Sequence, residues 1–307
     1  MKSIFISALL LSLTVMPLIN LQACDVCGGS GDNVFGLLPS YKSRFLGIRY
    51  QYRHYRVTHP ALFASEESTQ AENFYQQADL WGRYGFAKNK LQLYASLPIA
   101  YNIQKENSSK YAALGLGDAQ LMLQVQLLNS SDSASYKLRH ILFGGAGLKL
   151  PTGKYHLQDG NYDLPAGMQP GSGSFDIPLN LIYTLQYRKV GLNTELNYKL
   201  NTTALKGAYR FGDRLSAGMQ FLFRYRYKAA MFVPYLNLSF EHRNADSKLG
   251  YKQDFTGGQA FSAGIGAECF LKTWAIGFST QHPIYQNLGE GNIKGGLQIQ
   301  SRVLFLF

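Results

Sequence analysis

Along most of the chain, apolar and polar side chains alternate with a period of two. The clearest stretch sets Leu192, Thr194, Leu196, Tyr198 and Leu200 on one face and Asn193, Glu195, Asn197, Lys199 and Asn201 on the other. Near the start, Leu46, Ile48, Tyr50 and Tyr52 alternate with Gly47, Arg49, Gln51 and Arg53. At the end, Leu297, Ile299, Val303, Phe305 and Phe307 stand against Gln298, Gln300 and Arg302. A strand turns successive side chains to opposite faces, so each such stretch predicts a β-strand with one apolar face. Strands are expected at about 43–56, 73–86, 90–102, 114–128, 136–150, 174–187, 190–201, 208–226, 230–242, 258–271, 273–285 and 296–307. No helical period persists beyond about residue 40.

Alternation by itself fits a soluble sandwich, whose apolar faces meet in a core, or a membrane barrel, whose apolar face meets lipid. The connections separate the two. Those near 57–72, 103–113, 151–173, 243–257 and 286–295 are long and polar. Those at 87–89, 188–189, 227–229 and 272 are tight, and 129–135 is a short Ser-rich turn. One exception is 202–207, short where a long loop is due. Long loops on one rim, tight turns on the other and an even strand count are the marks of a bacterial outer-membrane barrel. The expected fold is therefore all-β, a transmembrane antiparallel up-and-down β-barrel of about 12 strands, with long extracellular loops and short periplasmic turns. Its expected location is the outer membrane of a Gram-negative bacterium.

Composition agrees with this expectation. Only 16% of the 307 residues are charged, 14% are aromatic, and Gly numbers 31. Soluble domains carry about 25% charged residues, and disordered chains are poor in aromatics. The one long apolar run, Ile4 to Leu18 after Lys2, reads with Ala23 as a secretory signal peptide over residues 1–23. Residues 24–42 then form an N-terminal periplasmic or plug segment, and 43–307 the barrel. Leu21-Gln22-Ala23-Cys24 also looks like a lipoprotein processing site. The terminal aromatic Phe307 resembles the signal read by barrel assembly machinery. The formal charge of +11 raises nucleic acid as a partner, but no run of five or six basic residues supports it. The expected partners are outer-membrane lipid, the assembly machinery and a small solute, with the protein a monomer.

The inward faces carry Arg49, Arg53, Asp79, Arg83, Glu195, Lys199, Arg224, Arg226, Glu241, Glu268 and Arg302. Twelve strands enclose a narrow lumen, so these charges either pair as a polar core or line a small-solute path with a weak anion preference. The longest loop contains Tyr155, His156, Asp159, Asp163 and Met168, and either folds inward as a constriction or stays exposed. Three functions follow: a channel or transporter for a small solute, a metal-linked binding protein, or a structural barrel that does not conduct.

Four stretches carry a family resemblance: Gly115-Leu116-Gly117-Asp118, Leu148 to Gly153, Gly171 to Asp176, and Tyr209 to Asp213. In order and spacing they resemble the outer-membrane proteins named for the phenol-degradation meta pathway. That resemblance covers about residue 43 to the end. It implies a monomeric barrel for hydrophobic or small organic solutes. The start Cys24-Asp25-Val26-Cys27-Gly28 resembles a group of outer-membrane barrels associated with Bacteroidetes. A further Cys often follows in that group, where this chain has Gly29.

Cys24 and Cys27 are the sharpest chemical motif. A C-x-x-C pair can hold Cu(I) or Zn²⁺, cycle as a dithiol, or close as a disulfide, and Cys24 can instead be lipidated. Two thiolates supply half of a structural zinc site. Beyond that candidate, no cofactor is expected. Cys269 has lipid-facing parity with Phe261, Ile265 and Leu271. His54, His59, His156, His242 and His282 fall toward the outer rim and His140 toward the inner one; the readings are interfacial anchors or a rim metal site. No Ser pairs with the outward His242 or His282, and no soluble-enzyme motif is present. An enzyme is not expected.

Overall fold

The alternating segments form the wall of a closed barrel in the computed structural model, which describes residues 44–61, 68–107, 109–130, 138–160, 162–205 and 207–307. The first half of the wall comprises β1 (Phe45–His59), β2 (Thr69–Phe86), β3 (Leu91–Glu106), β4 (Ser109–Leu116 continued by Gln120–Asn129), β5 (Leu138–Lys149) and β6 (Ile177–Tyr187). The second half comprises β7 (Val190–Leu200), β8 (Arg214–Phe223 continued by Tyr225–Tyr227), β9 (Ala230–Arg243), β10 (Gly258–Phe270), β11 (Trp274–Leu288) and β12 (Ile293–Leu306). Each strand pairs antiparallel with its chain neighbours, and β12 returns to β1 with Phe45 opposite Leu306 and Val57 opposite Ile293. Twelve strands thus close on themselves and leave no edge to hydrogen-bond with lipid or another chain.

The wall is turned inside out relative to a soluble barrel. Ile48 is 59% exposed, whereas the adjacent Arg49 is 5% exposed and points inward. Leu80, Leu114, Leu236 and Ile265 are likewise exposed, while Asp79, Gln124 and Glu268 are buried. An apolar band of this extent faces lipid, since in water it would drive association.

The strand ends differ from the sequence expectation in three places. The long link expected at 103–113 is a tight turn, because β3 runs to Glu106 and β4 begins at Ser109. Polar residues pair as well as apolar ones, and this hairpin continues its ladder past the apolar band. The link expected at 286–295 shrinks to a turn around Gly289–Gly291 for the same reason. Conversely, β8 begins at Arg214 rather than near 208, so the 202–207 exception disappears. Tyr209–Arg210 instead joins a small separate sheet with Ser247–Lys248 and Tyr251–Lys252 above the rim.

The inner face is not uniformly polar. Toward the tight-turn end, Phe45, Trp81, Val233, Phe270, Leu304 and Leu306 point inward and pack together as a buried apolar cluster. Across the barrel, Tyr94, Met122, Phe143 and Ile182 form a second one. Alternation concealed both, since each interrupts the polar face at only one or two positions per strand.

Candidate functional site in the barrel lumen

The ordered part of the upper lumen is built by the four Gly-rich motifs. Between the two halves of β4, residues 117–119 interrupt the regular pairing with β3 and turn Asp118 inward. Thr152 and Lys154 pair alongside this break: Ala119 donates its N–H to Thr152 Oγ1 at 2.8 Å, and Lys154 donates to the Leu116 carbonyl at 2.9 Å. Gly171 then donates to the Lys154 carbonyl at 2.8 Å, so three chain segments lie side by side. Gly153 and Gly171 make this possible. A Cβ on Gly153 would lie 2.7 Å from the Gly171 Cα and 2.8 Å from Asp118 Oδ1.

Lys149 is the centre of this knot. Its Nζ lies 2.8 Å from Asp118 Oδ2 and 2.7 Å from Asp176 Oδ2, and it also donates to Ser172 Oγ. Asp118 accepts further hydrogen bonds from the Gly153 and Ser172 backbone N–H groups at 3.0 and 2.8 Å. Asp176 accepts from Ser174 Oγ at 2.9 Å and from the Thr202 N–H at 3.1 Å. Asp213 closes the fourth motif in the same manner, accepting from the Asn201 N–H at 2.9 Å and pairing with Arg210. Beside it, Asp246 accepts from the Gly212 N–H and the Tyr209 hydroxyl. Each motif therefore ends in, or surrounds, a charged group that ties one loop to the next.

The long loop does fold inward, but through a segment different from the one its polar residues suggested. Met168 is fully buried, and its carbonyl accepts from Asn102 Nδ2 at 3.0 Å. Gln169 braces the turn by donating to the Leu157 and Leu164 carbonyls and accepting from the Leu157 N–H. Asp159 and Asp163 sit on an exposed hairpin tip, and His156 packs against Tyr155 at 4.3 Å. Burial, and then the Asp163 carboxylate, raise the Tyr155 phenol above its ordinary pKa. Residues 166–172, rather than Tyr155, His156, Asp159 and Asp163, enter the lumen.

Below the knot, the inward charges engage one another. Arg49 Nε lies 2.8 Å from Asp79 Oδ2, with both side chains buried. Arg302 pairs with Glu268 across β11, where Gly277 stands between them. A Cβ at Gly277 would approach Arg302 Nε to 2.7 Å, so its absence makes room for the pair. Glu241 is held between Arg214 and Arg243, and Arg53 donates to Gln51 Oε1. Arg83 donates to the Tyr94 hydroxyl at 3.2 Å, and Glu195 accepts from Asn197 Nδ2 at 2.9 Å. Lys199 stands in register beside Arg214. Arg224 lies at the tight-turn mouth, where it caps the Arg188 carbonyl, and Arg226 is exposed there.

Of the residues that build this site, Met168 stood in the loop the sequence singled out, whereas Lys149, Asp118, Asp176 and Gln169 were not read as site residues. Three of the four motifs end in Asp, a signal that was present and outweighed by their glycines. Cys24 and Cys27 lie outside the described residues. Among the described residues, no group of three or more His, Cys, Asp and Glu converges on a metal-sized site. His54 stacks on Phe74, His140 hydrogen-bonds with the Tyr183 hydroxyl, His59 is half-buried at the rim, and His242 and His282 are exposed on the outer face.

Between these groups, the interior is divided into cavities. One of about 150 Å³ lies under the inward loop and is lined by Arg49, Lys149, Lys199, Arg214 and Arg243 together with Asp79, Asp118, Asp176 and Asp246. A second of about 90 Å³ lies beside Arg53, Glu241 and Arg302. A vestibule of about 410 Å³ opens at the tight-turn end beside Arg139 and Arg224.

Solved structures share this architecture. An outer membrane channel from Pseudomonas putida F1 superposes with a TM-score of 0.58 at 14% identity, over 86% of this chain and 96% of that one. The fold is the outer-membrane β-barrel. The β domain of a Bordetella autotransporter matches with a TM-score of 0.51 at 10% identity, over 86% of this chain and 99% of that one. No protein-family model and no curated protein sequence matches the chain. At these identities the likeness concerns the barrel, and the lumen must be read from its own residues.

Proposed function

We propose that this protein is an outer-membrane channel for a small organic anion, with the inward part of the 150–176 loop as its constriction. The observation that carries this reading is a row of cations on neighbouring strands. Lys199 on β7, Arg214 on β8 and Arg243 on β9 are register partners, and they share the cavity under the loop with Arg49. Asp79, Asp118, Asp176 and Asp246 line the same cavity, so the anion preference rests on the adjacency of Lys199, Arg214 and Arg243, which raises the local concentration of a counter-ion along one side of the path. The motif resemblance to the phenol-pathway proteins points to small organic solutes, and a small organic anion suits both features.

Planar bilayers with a KCl gradient test the proposal. The reversal potential should carry the sign of chloride permeation and move toward zero in the Arg214→Ala, Arg243→Ala double variant. A cation-selective wild-type channel would refute it.

A second reading is a structural barrel that conducts nothing. It is favoured by the apolar cluster of Phe45, Trp81, Phe270, Leu304 and Leu306, which occupies one side of the tight-turn end of the interior beside the vestibule. Silence of the wild type and of variants that open this cluster would support that reading over the first.

A further inference from the structure

The positive charge of this chain is distributed unevenly between its two rims. Four of the tight turns carry Lys88, Lys90, Arg188, Lys189, Lys228 and Lys272, all exposed, and contain no Asp or Glu; the Ser-rich link between β4 and β5 adds one of each sign, Asp132 and Lys137. The opposite rim mixes both signs, with Asp213 on Arg210 and Glu290 near Lys252.

Backbone geometry makes these cations conspicuous. Arg188 and Lys228 have φ of 51° and Lys88 of 57°. Left-handed positions in two-residue hairpin turns are ordinarily taken by Gly, Asn or Asp, which adopt them at low cost. A Lys or Arg there is strained, as a non-Gly residue is at any left-handed position.

The direction of these side chains identifies what they meet. The Arg188 guanidinium lies 5.3 Å from the centre of the Tyr187 ring, and the Lys228 ammonium 5.4 Å from that of Tyr227. Arg44, beside the same rim, lies 4.3 Å from the Tyr84 ring. All three tyrosines are exposed on the outer, lipid-facing side of the wall. Tyrosine at the end of an apolar band marks the boundary between hydrocarbon and headgroups. Stacking on it holds each cation at headgroup height on the outer circumference.

We propose that this rim is a binding ring for anionic glycerophospholipids, whose headgroup phosphates are held by the turn cations above the tyrosine girdle. The inference rests on the orientation stated above, with the tight turns on the periplasmic side. In that leaflet the phosphate belongs to a phospholipid. The ring is independent of whether the lumen conducts.

The full-length protein, reconstituted in nanodiscs of phosphatidylethanolamine and phosphatidylglycerol, provides the test. Lipids retained after mild detergent release are counted by native mass spectrometry. The wild type should retain phosphatidylglycerol several-fold over its share of the mixture, and the excess should fall as salt is raised. An Arg188→Asn, Lys228→Asn, Lys272→Gln variant should lose the excess, since Asn preserves the left-handed turns. A Lys105→Gln, Lys110→Gln variant at the opposite rim should keep it. Unselective retention by the wild type overturns the proposal, as does a turn variant that retains phosphatidylglycerol undiminished. Equal loss in both variants also overturns it, because bulk charge would then suffice. Should the turn variant fail to fold, the wild-type salt dependence still decides. Thiol labelling of an Arg188→Cys variant in intact cells checks the orientation separately.

Discussion

Lys149 is enclosed by oxygen: two carboxylates and the Ser172 hydroxyl surround an ammonium that is itself buried. A buried ion group gains little over an apolar core when intact, but removing one member leaves the others charged and unpaired. Lys149→Met should therefore destabilise the barrel by about 3–5 kcal/mol. The readout is a lower temperature for loss of the compact, SDS-resistant form. Adding Asp118→Asn to Lys149→Met should recover part of the loss; if the double variant is no more stable than the single one, charge is not the cause. At this scale the sequence was legible in part. The parity of β5 turns Lys149 inward with Ile141 and Phe143, and Asp118 closes a Gly-rich motif. Their meeting was not legible, because 31 positions separate them and it depends on the register of β4 against β5, which sets Gln120 opposite Lys149.

Among the elements, the middle of the long loop, residues 157–169, depends on few groups. Asn102 on β3 holds the Met168 carbonyl, and Gln169 makes three hydrogen bonds to the loop's own backbone. Each such bond is worth about 1 kcal/mol, so losing both side chains should release the segment without unfolding the wall. Asn102→Ala, Gln169→Ala is expected to raise single-channel conductance and weaken anion preference in planar bilayers. An unchanged conductance would mean that the loop does not limit passage. That a loop of this length enters the lumen was one of two open readings of its sequence. Which residues enter was decided by contacts. The charged tip Asp159–Asp163 is better solvated outside, whereas Gly167, Met168 and Gly171 are small or apolar enough to be buried. The strand ends were misplaced for a related reason. A polar hairpin such as 103–113 remains paired once its ladder has begun, whatever its hydropathy.

For the whole molecule, a lumen that conducts, as proposed above, would be narrowed by its apolar end as well as by its loop. Trp81 and Phe45 pack edge to face at 4.6 Å and fill the space between β1, β2 and β12. Trp81→Ala should cost about 3–5 kcal/mol in barrel stability and at the same time enlarge the conductance. A stability loss without any current would favour the structural barrel. The period-two alternation, the rhythm of long and short connections and the aromatic content determined by themselves that this chain forms a membrane barrel of about twelve strands. Those are local properties, since each strand carries its own lipid face, and closure is the one arrangement that leaves no unpaired edge in hydrocarbon. Tertiary structure alone decided what the lumen contains. The Lys149 knot joins neighbouring strands, the Glu268–Arg302 pair reaches across one intervening strand, and the apolar cluster gathers side chains from β1, β2 and β8 to β12. Their distances follow from register and tilt around the whole wall, which no single segment specifies.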